Sequence, residues 1–339
     1  MAKENISFDE IIKNKEYRER VIKYFRLPIL LSASYEKFVE DMKFIEERDF
    51  SYYMEIVTAV EHDFNALREE QNTDTPDFTM ENVIQEIADE IEVTDAWREF
   101  ISEDNSDVLD DYKGITSTHG FYAKENDGKL YLSVDLKTAN WQSLQTITGI
   151  KESYEDYIVK FSDKKILPLS KSFRTKVTSL LNAKKIMDYN KKLLKENYQD
   201  VLTLLDNECG TSLSGREPIA FYADEVIFEL TNDEFDVLSE DQSRLERLAK
   251  ETTAIQVHIT TFKMKWLNFG KACARIANDG TYELKNLGKP GEMIYSRVLA
   301  DTEVKSIHFE GINLKRLKLT EEEYIDEMRR INREITKEF

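Results

Sequence analysis

The stretch Ile219 to Leu230, IAFYADEVIFEL, sets two adjacent acids, Asp224 and Glu225, between two short apolar runs of strand-forming residues. Runs of that length read as buried β-strands. Charges that interrupt such a pair lie at a hairpin turn or at a site that uses them, because an unpaired buried carboxylate is costly or changes its pKa. Glu229 adds a third acid nearby. A second stretch, Leu130 to Leu144 (LYLSVDLKTANWQSL), alternates Leu130, Leu132 and Val134 against Tyr131, Ser133 and Asp135, the period of two of a half-buried strand. Asp135 falls on the less apolar face at the end of that strand, and Thr138 through Thr148 reads as a helix. An acid at such a junction can hold a metal, and it can equally cap the helix.

Around these two stretches the chain divides by composition. The 339 residues are long enough for two or three domains. No apolar run approaches the roughly 18 residues of a membrane span, and the N-terminus MAKENISFDE has no apolar core of the kind a secretory signal needs. The expectation is a cytoplasmic protein with no membrane partner. Two cysteines, Cys209 and Cys273, lie too far apart for a C-x-x-C motif, and the four histidines are isolated from one another. Few glycines and prolines beside many lysines, glutamates, isoleucines and asparagines fit a bacterial or phage protein from an AT-rich genome.

The net charge of −19 is unevenly spread. Residues 1–111 hold 30 Asp/Glu against 12 Lys/Arg, and Glu69 to Asp111 alone holds 16 acids against one base, Arg98. Lys171 to Lys195 reverses the sign, with eight bases and only Asp188 opposing them. So acidic a chain repels nucleic acid at long range, while one basic element can still bind phosphate locally.

The pattern predicts an α+β fold: a helical acidic region over residues 1–112, a mixed domain with an antiparallel, palm-like sheet over 113–317, and a C-terminal helix over 318–339 opened by a Thr320/Glu323 capping box. Apolar spacing predicts helices through Phe8 to Phe25, Tyr35 to Glu47, Ser51 to Glu70 and around Ile84 to Phe100, then a linker from Glu103 to Asp111. Asn126-Asp127-Gly128 and Asn278-Asp279-Gly280 each predict a hairpin. Ser170 to Asn197 reads as one long helix with a basic outer face, and Ser306 to Ile312 as a further strand.

Asp135 at the end of one strand, Asp224 between two others and a basic helix in the interval form an arrangement that phosphoryl chemistry can use. Two metal ions about 3.5–4 Å apart need carboxylates from separate strands. The sequence also resembles a family. Val134-Asp135-Leu136-Lys137-Thr138-Ala139-Asn140-Trp141 looks like the first metal-binding motif of palm-domain polymerases, above all the family A DNA polymerases and their single-subunit RNA polymerase relatives. Tyr222-Ala223-Asp224-Glu225-Val226-Ile227-Phe228-Glu229 looks like their later Asp-Glu hairpin motif, and the basic helix stands in the place of their nucleotide-binding helix.

The resemblance implies Asp135, Asp224 and Glu225 as catalytic residues, with Asp135 and Asp224 holding Mg²⁺ or Mn²⁺. It also implies nucleotide or nucleic acid at the basic helix, through Arg174, Lys176, Lys184 and Lys185. The chain departs from the family at Thr178, where the helix has a lysine, and at Ala223, where a histidine or glycine precedes the Asp-Glu pair. The resemblance therefore implies a palm-like nucleotidyltransferase or an inactive relative of one. Against it stand a helix-capping role for Asp135, a solvated hairpin tip at Asp224 and Glu225, and a basic face that simply pairs with the acidic helices. The competing function class is a non-enzymatic protein whose acidic run, Glu69 to Asp111, imitates nucleic-acid phosphates and engages a basic protein partner.

Overall fold

The computed structural model describes residues 4–103, 118–267, 273–285 and 306–308, together with Asp326 and Arg329. The C-terminal helix expected from Thr320 and most of the expected linker lie outside the described residues. The fold is α+β. Its helices run α1 (Phe8–Ile11), α2 (Lys15–Phe25), α3 (Tyr35–Arg48), α4 (Phe50–Glu70), α5 (Glu81–Glu92), α6 (Asp95–Ser102), α7 (Thr118–Phe121) and α8 (Ala139–Thr148). They continue with α9 (Tyr154–Ile158), α10 (Ile166–Leu169), α11 (Lys171–Leu181), α12 (Ala183–Cys209), α13 (Asn232–Ser239) and α14 (Gln242–Thr252). The strands are β1 (Leu130–Leu136), β2 (Ala220–Tyr222), β3 (Glu225–Glu229), β4 (Val257–Trp266), β5 (Cys273–Ile276), β6 (Thr281–Lys285) and β7 (Ser306–His308).

Two compact units share these elements. One gathers the described residues of Met1–Asp89, Glu152–Val177 and Leu287–Phe339, the other those of Glu90–Lys151 and Thr178–Asn286. The first unit takes in residues 152–177 as well as its N-terminal stretch, because packing rather than chain order decides it.

The helical unit is built on local caps and an aromatic core. Asn14 caps α2 by accepting from the Glu16 amide, Ser34 caps α3 through Lys37, and Asp49 caps α4 through Tyr52. Tyr17 meets Phe64 edge-on at 4.9 Å, and Tyr24 meets Phe173 at 4.7 Å, so α2 is packed on both α4 and α11. Asp63 is the polar key of this core. Fully buried on α4, it accepts from the Lys165 amide at 2.8 Å, the Ile166 amide at 2.7 Å and His62 Nδ1 at 2.8 Å. Its carboxylate thereby satisfies the first amides of α10, which a buried helix start would otherwise leave orphaned.

The other unit carries six strands in the order β2-β3-β1-β4-β5-β6, with antiparallel pairing throughout. Leu132, Val134 and Leu136 of β1, Val226 and Phe228 of β3, and Val257 and Ile259 of β4 face one core with α12, α13 and α14. Tyr131 of β1, Ile227 of β3, Phe262 and Met264 of β4 and Cys273 of β5 belong to a second core on the other face, with Phe121. The alternation read in β1 is thus the division between two faces of the sheet.

Two expectations need correction. Asn126-Asp127-Gly128 does not turn a hairpin: residues 118–126 form α7 and a short 3₁₀ turn, Asn126 donates to the Phe121 carbonyl, and the Gly128 amide donates to the Met264 carbonyl. Asn278-Asp279-Gly280 does turn one, joining β5 to β6 with Gly280 at φ +85. The long basic helix is broken at Asn182, which leaves helical geometry and caps α12 by accepting from the Lys185 amide.

Replacing Asp63 by alanine strands two buried amides. At ~1–3 kcal/mol for each orphaned group, the variant is expected to lose about 2–5 kcal/mol, and Asp63→Asn, which keeps one acceptor, visibly less. Urea unfolding of the two variants beside the wild type measures both. Equal stability of all three would remove Asp63 from this role.

Candidate functional site

Asp135 reaches its place because β1 is paired on both edges. In register it stands opposite Glu225 of β3 on one side and His258 of β4 on the other. Asp224 occupies the two-residue turn Ala223-Asp224 between β2 and β3, where Tyr222 pairs with Glu225. The Leu136 amide donates to the Asp224 carbonyl at 2.8 Å, which fastens this turn to the end of β1. Asp135, Asp224 and Glu225 therefore come together at one end of three neighbouring strands.

The backbone around them is strained. Ala223 has φ 28 and Thr138 has φ 47, two of the four non-glycine residues with positive φ among the described residues. For a β-branched residue such as Thr138 this is unusual, and it costs on the order of 1–3 kcal/mol. Thr138 occupies the N-cap position of α8 with no side-chain cap bond, so Asp135 does not cap that helix. The strand-to-helix turn is held instead by Gln142, buried on α8. Its Nε2 donates to the carbonyls of Lys137 and Gln256, and its Oε1 accepts from the Gln256 amide at 2.8 Å.

The three acids are not equivalent. Burial first, then the charges of Asp224 and Glu225, push the Asp135 carboxyl well above its ordinary value of 3.8, while Arg275 and Lys285 act against the shift. Among the described residues no hydrogen bond reaches the Asp135 side chain. Glu225 is engaged: its Oε1 accepts from Ser133 Oγ at 2.5 Å and from Arg275 Nη2 at 2.6 Å. Arg275, on β5, is buried, with its guanidinium 4.5 Å from the centre of the Phe262 ring and 5.4 Å from that of Tyr122. It also donates to the Tyr122 hydroxyl and lies 3.7 Å from Glu283, which Lys285 joins at 2.8 Å. Burial works against the charge of Arg275, but Glu225, Tyr122 and Glu283 more than compensate and hold its pKa above the usual arginine value.

At the β4 edge, Glu246 of α14 gathers three donors: Lys137 Nζ at 2.7 Å, the Ile259 amide at 3.0 Å and His258 Nδ1 at 3.3 Å. Burial would raise its carboxyl, but these bonds take it from 4.5 down to about 2.

The basic residues are divided between the two units. Arg174 and Lys176 fall in the helical unit, Lys184 and Lys185 in the sheet unit. Arg174 lies 3.5 Å from Glu155 and over the Tyr154 ring, and Lys176 pairs with Glu81 at 2.9 Å. Lys185 donates to the carbonyls of Ile101 at 2.7 Å and Glu103 at 2.6 Å, closing the C-terminus of α6. Lys184 is exposed. Thr178 is buried and accepts from Asn140 at 3.3 Å, so the position that carries a lysine in the resembling helix belongs here to a neutral polar contact with α8.

Mg²⁺ is commonly held by one or two carboxylates with substrate phosphates completing its shell, and Asp135 and Asp224 are the acids of that type here. Among the described residues no group of three or more Asp, Glu, His or Cys is arranged to hold a metal ion, and Glu225 is already bound by Ser133 and Arg275. Arg275, Tyr122 and Gln142 were missed from sequence. The signal for Arg275 was an arginine inside the four-residue run Cys273–Ile276, where alternation with apolar neighbours places a charge in a buried strand. Compared with protein-family models, curated proteins and solved structures, the chain matches none.

The depressed Glu246 carboxyl sets a pH dependence. Its folded value lies below its unfolded one, so its contribution is complete above pH 4.5 and is lost as pH falls from there towards about 2. Glu246→Gln is expected to flatten the loss of thermal stability over that window. An acid limb identical to that of the wild type would contradict the assignment.

Proposed function

We propose that the sheet unit is a palm-like nucleotidyltransferase module in which Asp135 and Asp224 hold a Mg²⁺ or Mn²⁺ ion against the phosphates of a nucleotide. The observation that carries this reading is the adjacency of the two acids at the end of β1, fastened by the 2.8 Å bond from the Leu136 amide to the Asp224 carbonyl. Backbone strain at Ala223 and Thr138 supports it, since such conformations persist where the surrounding structure enforces them and they cluster at functional sites. The bound ion supplies charge neutralisation to phosphoryl oxygens. The chain's own part is to hold two hard oxygen donors, to keep Glu225 tied to Arg275, and to offer cations of the same unit, of which Lys184 is exposed and Lys185 already has partners.

The test combines Mn²⁺ calorimetry with nucleotide incorporation on several primer-templates. Asp135→Asn and Asp224→Asn are each expected to weaken ion binding at least tenfold and to abolish incorporation without unfolding the chain, because amides are poor ligands for hard cations. A wild-type chain that neither binds Mn²⁺ nor incorporates any nucleotide would end the enzymatic reading.

A second reading keeps a specific observation of its own. On α5 the side chains of Glu86, Asp89, Glu90 and Glu92 are exposed while Ile84, Ile87, Ala88 and Ile91 are buried, so this part of the acidic run is a continuous outward stripe. Glu81, at the start of α5, takes Lys176 from the basic helix at 2.9 Å. Such a stripe can engage a basic protein partner as a mimic of nucleic-acid phosphates. Reversing those four acids to lysine is expected to weaken capture of the partner and to reduce the salt sensitivity of what remains, since exposed charges are screened over about 8–10 Å. Capture unchanged by four reversals would make the stripe a solvated face.

A further inference from the structure

In a chain this rich in carboxylates, Arg26 is a half-buried arginine with no acid and no acceptor. It caps the C-terminus of α2 in the left-handed conformation, at φ 50 and ψ 40, which glycine usually takes there. Burial, and then the like charge of Arg174, hold its pKa below the ordinary arginine value, with no carboxylate acting on it. The end of α2 and the start of α11 are joined at this point. Ser170, which precedes α11, donates through Oγ to the Tyr24 carbonyl, and the Tyr24 and Phe173 rings meet at 4.7 Å. Arg174 stands one turn on from Ser170 and so on the same side of α11. It lies 3.5 Å from Glu155, an acid whose side chain is 50% exposed, and 5.7 Å from the centre of the Tyr154 ring. A single contact of that kind at the surface is weak. Lys23, three residues before Arg26, and Lys171, three before Arg174, are exposed, and neither side chain has a partner among the described residues. Four cations are set here against one acid.

Stability does not account for this arrangement. Positive charge is unfavourable in the first turn of a helix, where α11 carries Lys171 and no acid. The end of α2 does favour a cation, but Lys23 already supplies one in water. A guanidinium withdrawn from water with only another guanidinium to act on it adds desolvation to repulsion.

We propose that Arg26 and Arg174 form a phosphate site on the helical unit, with Lys23 and Lys171 at its rim, which takes the phosphoryl dianion of inorganic phosphate or of a small phosphomonoester. Guanidinium forks match oxyanions bidentately, and an anion shared by two of them replaces repulsion with charge-assisted hydrogen bonds. Glu155, half exposed and in one contact, is readily displaced from Arg174. The proposal stands apart from the reading of Asp135 and Asp224, which belong to the other unit.

The experiment measures phosphate binding by calorimetry and Tm in the full chain, with chloride at equal ionic strength as the reference. The wild type is expected to bind one inorganic phosphate per chain and to gain about 2–5 °C at ten times the dissociation constant, since a ligand of the folded state alone raises stability. Arg26→Gly removes the guanidinium and suits the left-handed backbone. It is expected to bind phosphate at least tenfold more weakly while matching or exceeding the wild-type Tm in chloride, a combination that a merely structural arginine would not give. Arg174→Gln is expected to weaken binding to the same extent. Ribose 5-phosphate is the second probe: tighter binding of the ester assigns the site to a phosphorylated metabolite, and tighter binding of inorganic phosphate assigns it to the free ion.

Binding of neither probe by the wild type at about 10 mM would overturn the proposal. An equal Tm gain in phosphate for the wild type and Arg26→Gly would also overturn it, because exclusion of the salt from the protein surface acts on both alike. A lower Tm of Arg26→Gly in chloride would do the same by making Arg26 a support of the fold.

Discussion

Pairing of β1 along both edges is the constraint from which the rest of the sheet unit follows. A strand with a neighbour on each side has no freedom of register, because a slip by one residue would send Leu132, Val134 and Leu136 to the face of Tyr131, Ser133 and Asp135. The helices α12, α13 and α14 bury the first set, and this fixes the second set on the opposite face. Asp135 cannot move without moving a core. Its acid neighbours are held by the same pairing, Glu225 by register and Asp224 by the bond from Leu136.

Fixing carboxylates side by side has a cost, and the surrounding residues show how it is met. Burial and like charge act together on Asp135. Glu225 is offset by a guanidinium, and Glu246, one strand over, by a lysine, a backbone amide and a histidine. The compensation is local to each acid, and it differs in kind. Glu225 is held by a buried charge and a hydroxyl, Glu246 by a set of hydrogen bonds where β4 begins and β1 ends. Asp135 alone of these three accepts no hydrogen bond among the described residues, and it is the one whose carboxyl is driven up furthest from ordinary behaviour.

Much of this was legible in the sequence, and the failures have physical causes. Period-two alternation in Leu130 to Leu136 located β1 and the face of Asp135, and the apolar runs flanking Asp224 located the β2–β3 hairpin. The Asn-Asp-Gly signal succeeded at Gly280 and failed at Gly128, because a turn sequence states only that the chain can reverse. Which strands then pair is settled by the sheet, and β1 was claimed by β3 and β4. The basic helix was misread as one element because its apolar spacing continues across Asn182, whereas the capping capacity of that residue, which decided the break, is equally compatible with a helix interior in a charge-rich stretch. Arg275, Tyr122 and Gln142 were missed for a different reason: each acts across a long sequence separation, Arg275 on Glu225, Tyr122 on Arg275 and Gln142 on Gln256, and the arginine inside the run Cys273–Ile276 signalled a buried charge without naming its partner.

The break at Asn182 also changes what a basic run can mean. As one helix, Lys171 to Lys195 would present a single cationic face of the kind that cradles a polyphosphate. It is two helices, the division between units falls within the first of them at Val177/Thr178, and most of the named cations already serve the protein's own acids or carbonyls: Arg174 with Glu155, Lys176 with Glu81, Lys185 with the end of α6. Exposed pairs of this type contribute little to stability, roughly 0–1 kcal/mol, so a phosphate could displace them at small cost. The acids on β1 and β3 are in the opposite position, since Glu225 sits in a buried pair whose disruption is expensive. The surface lysines are therefore the cheaper of the two sets to rearrange, and the carboxylate end of the sheet is the part whose geometry the fold holds fixed.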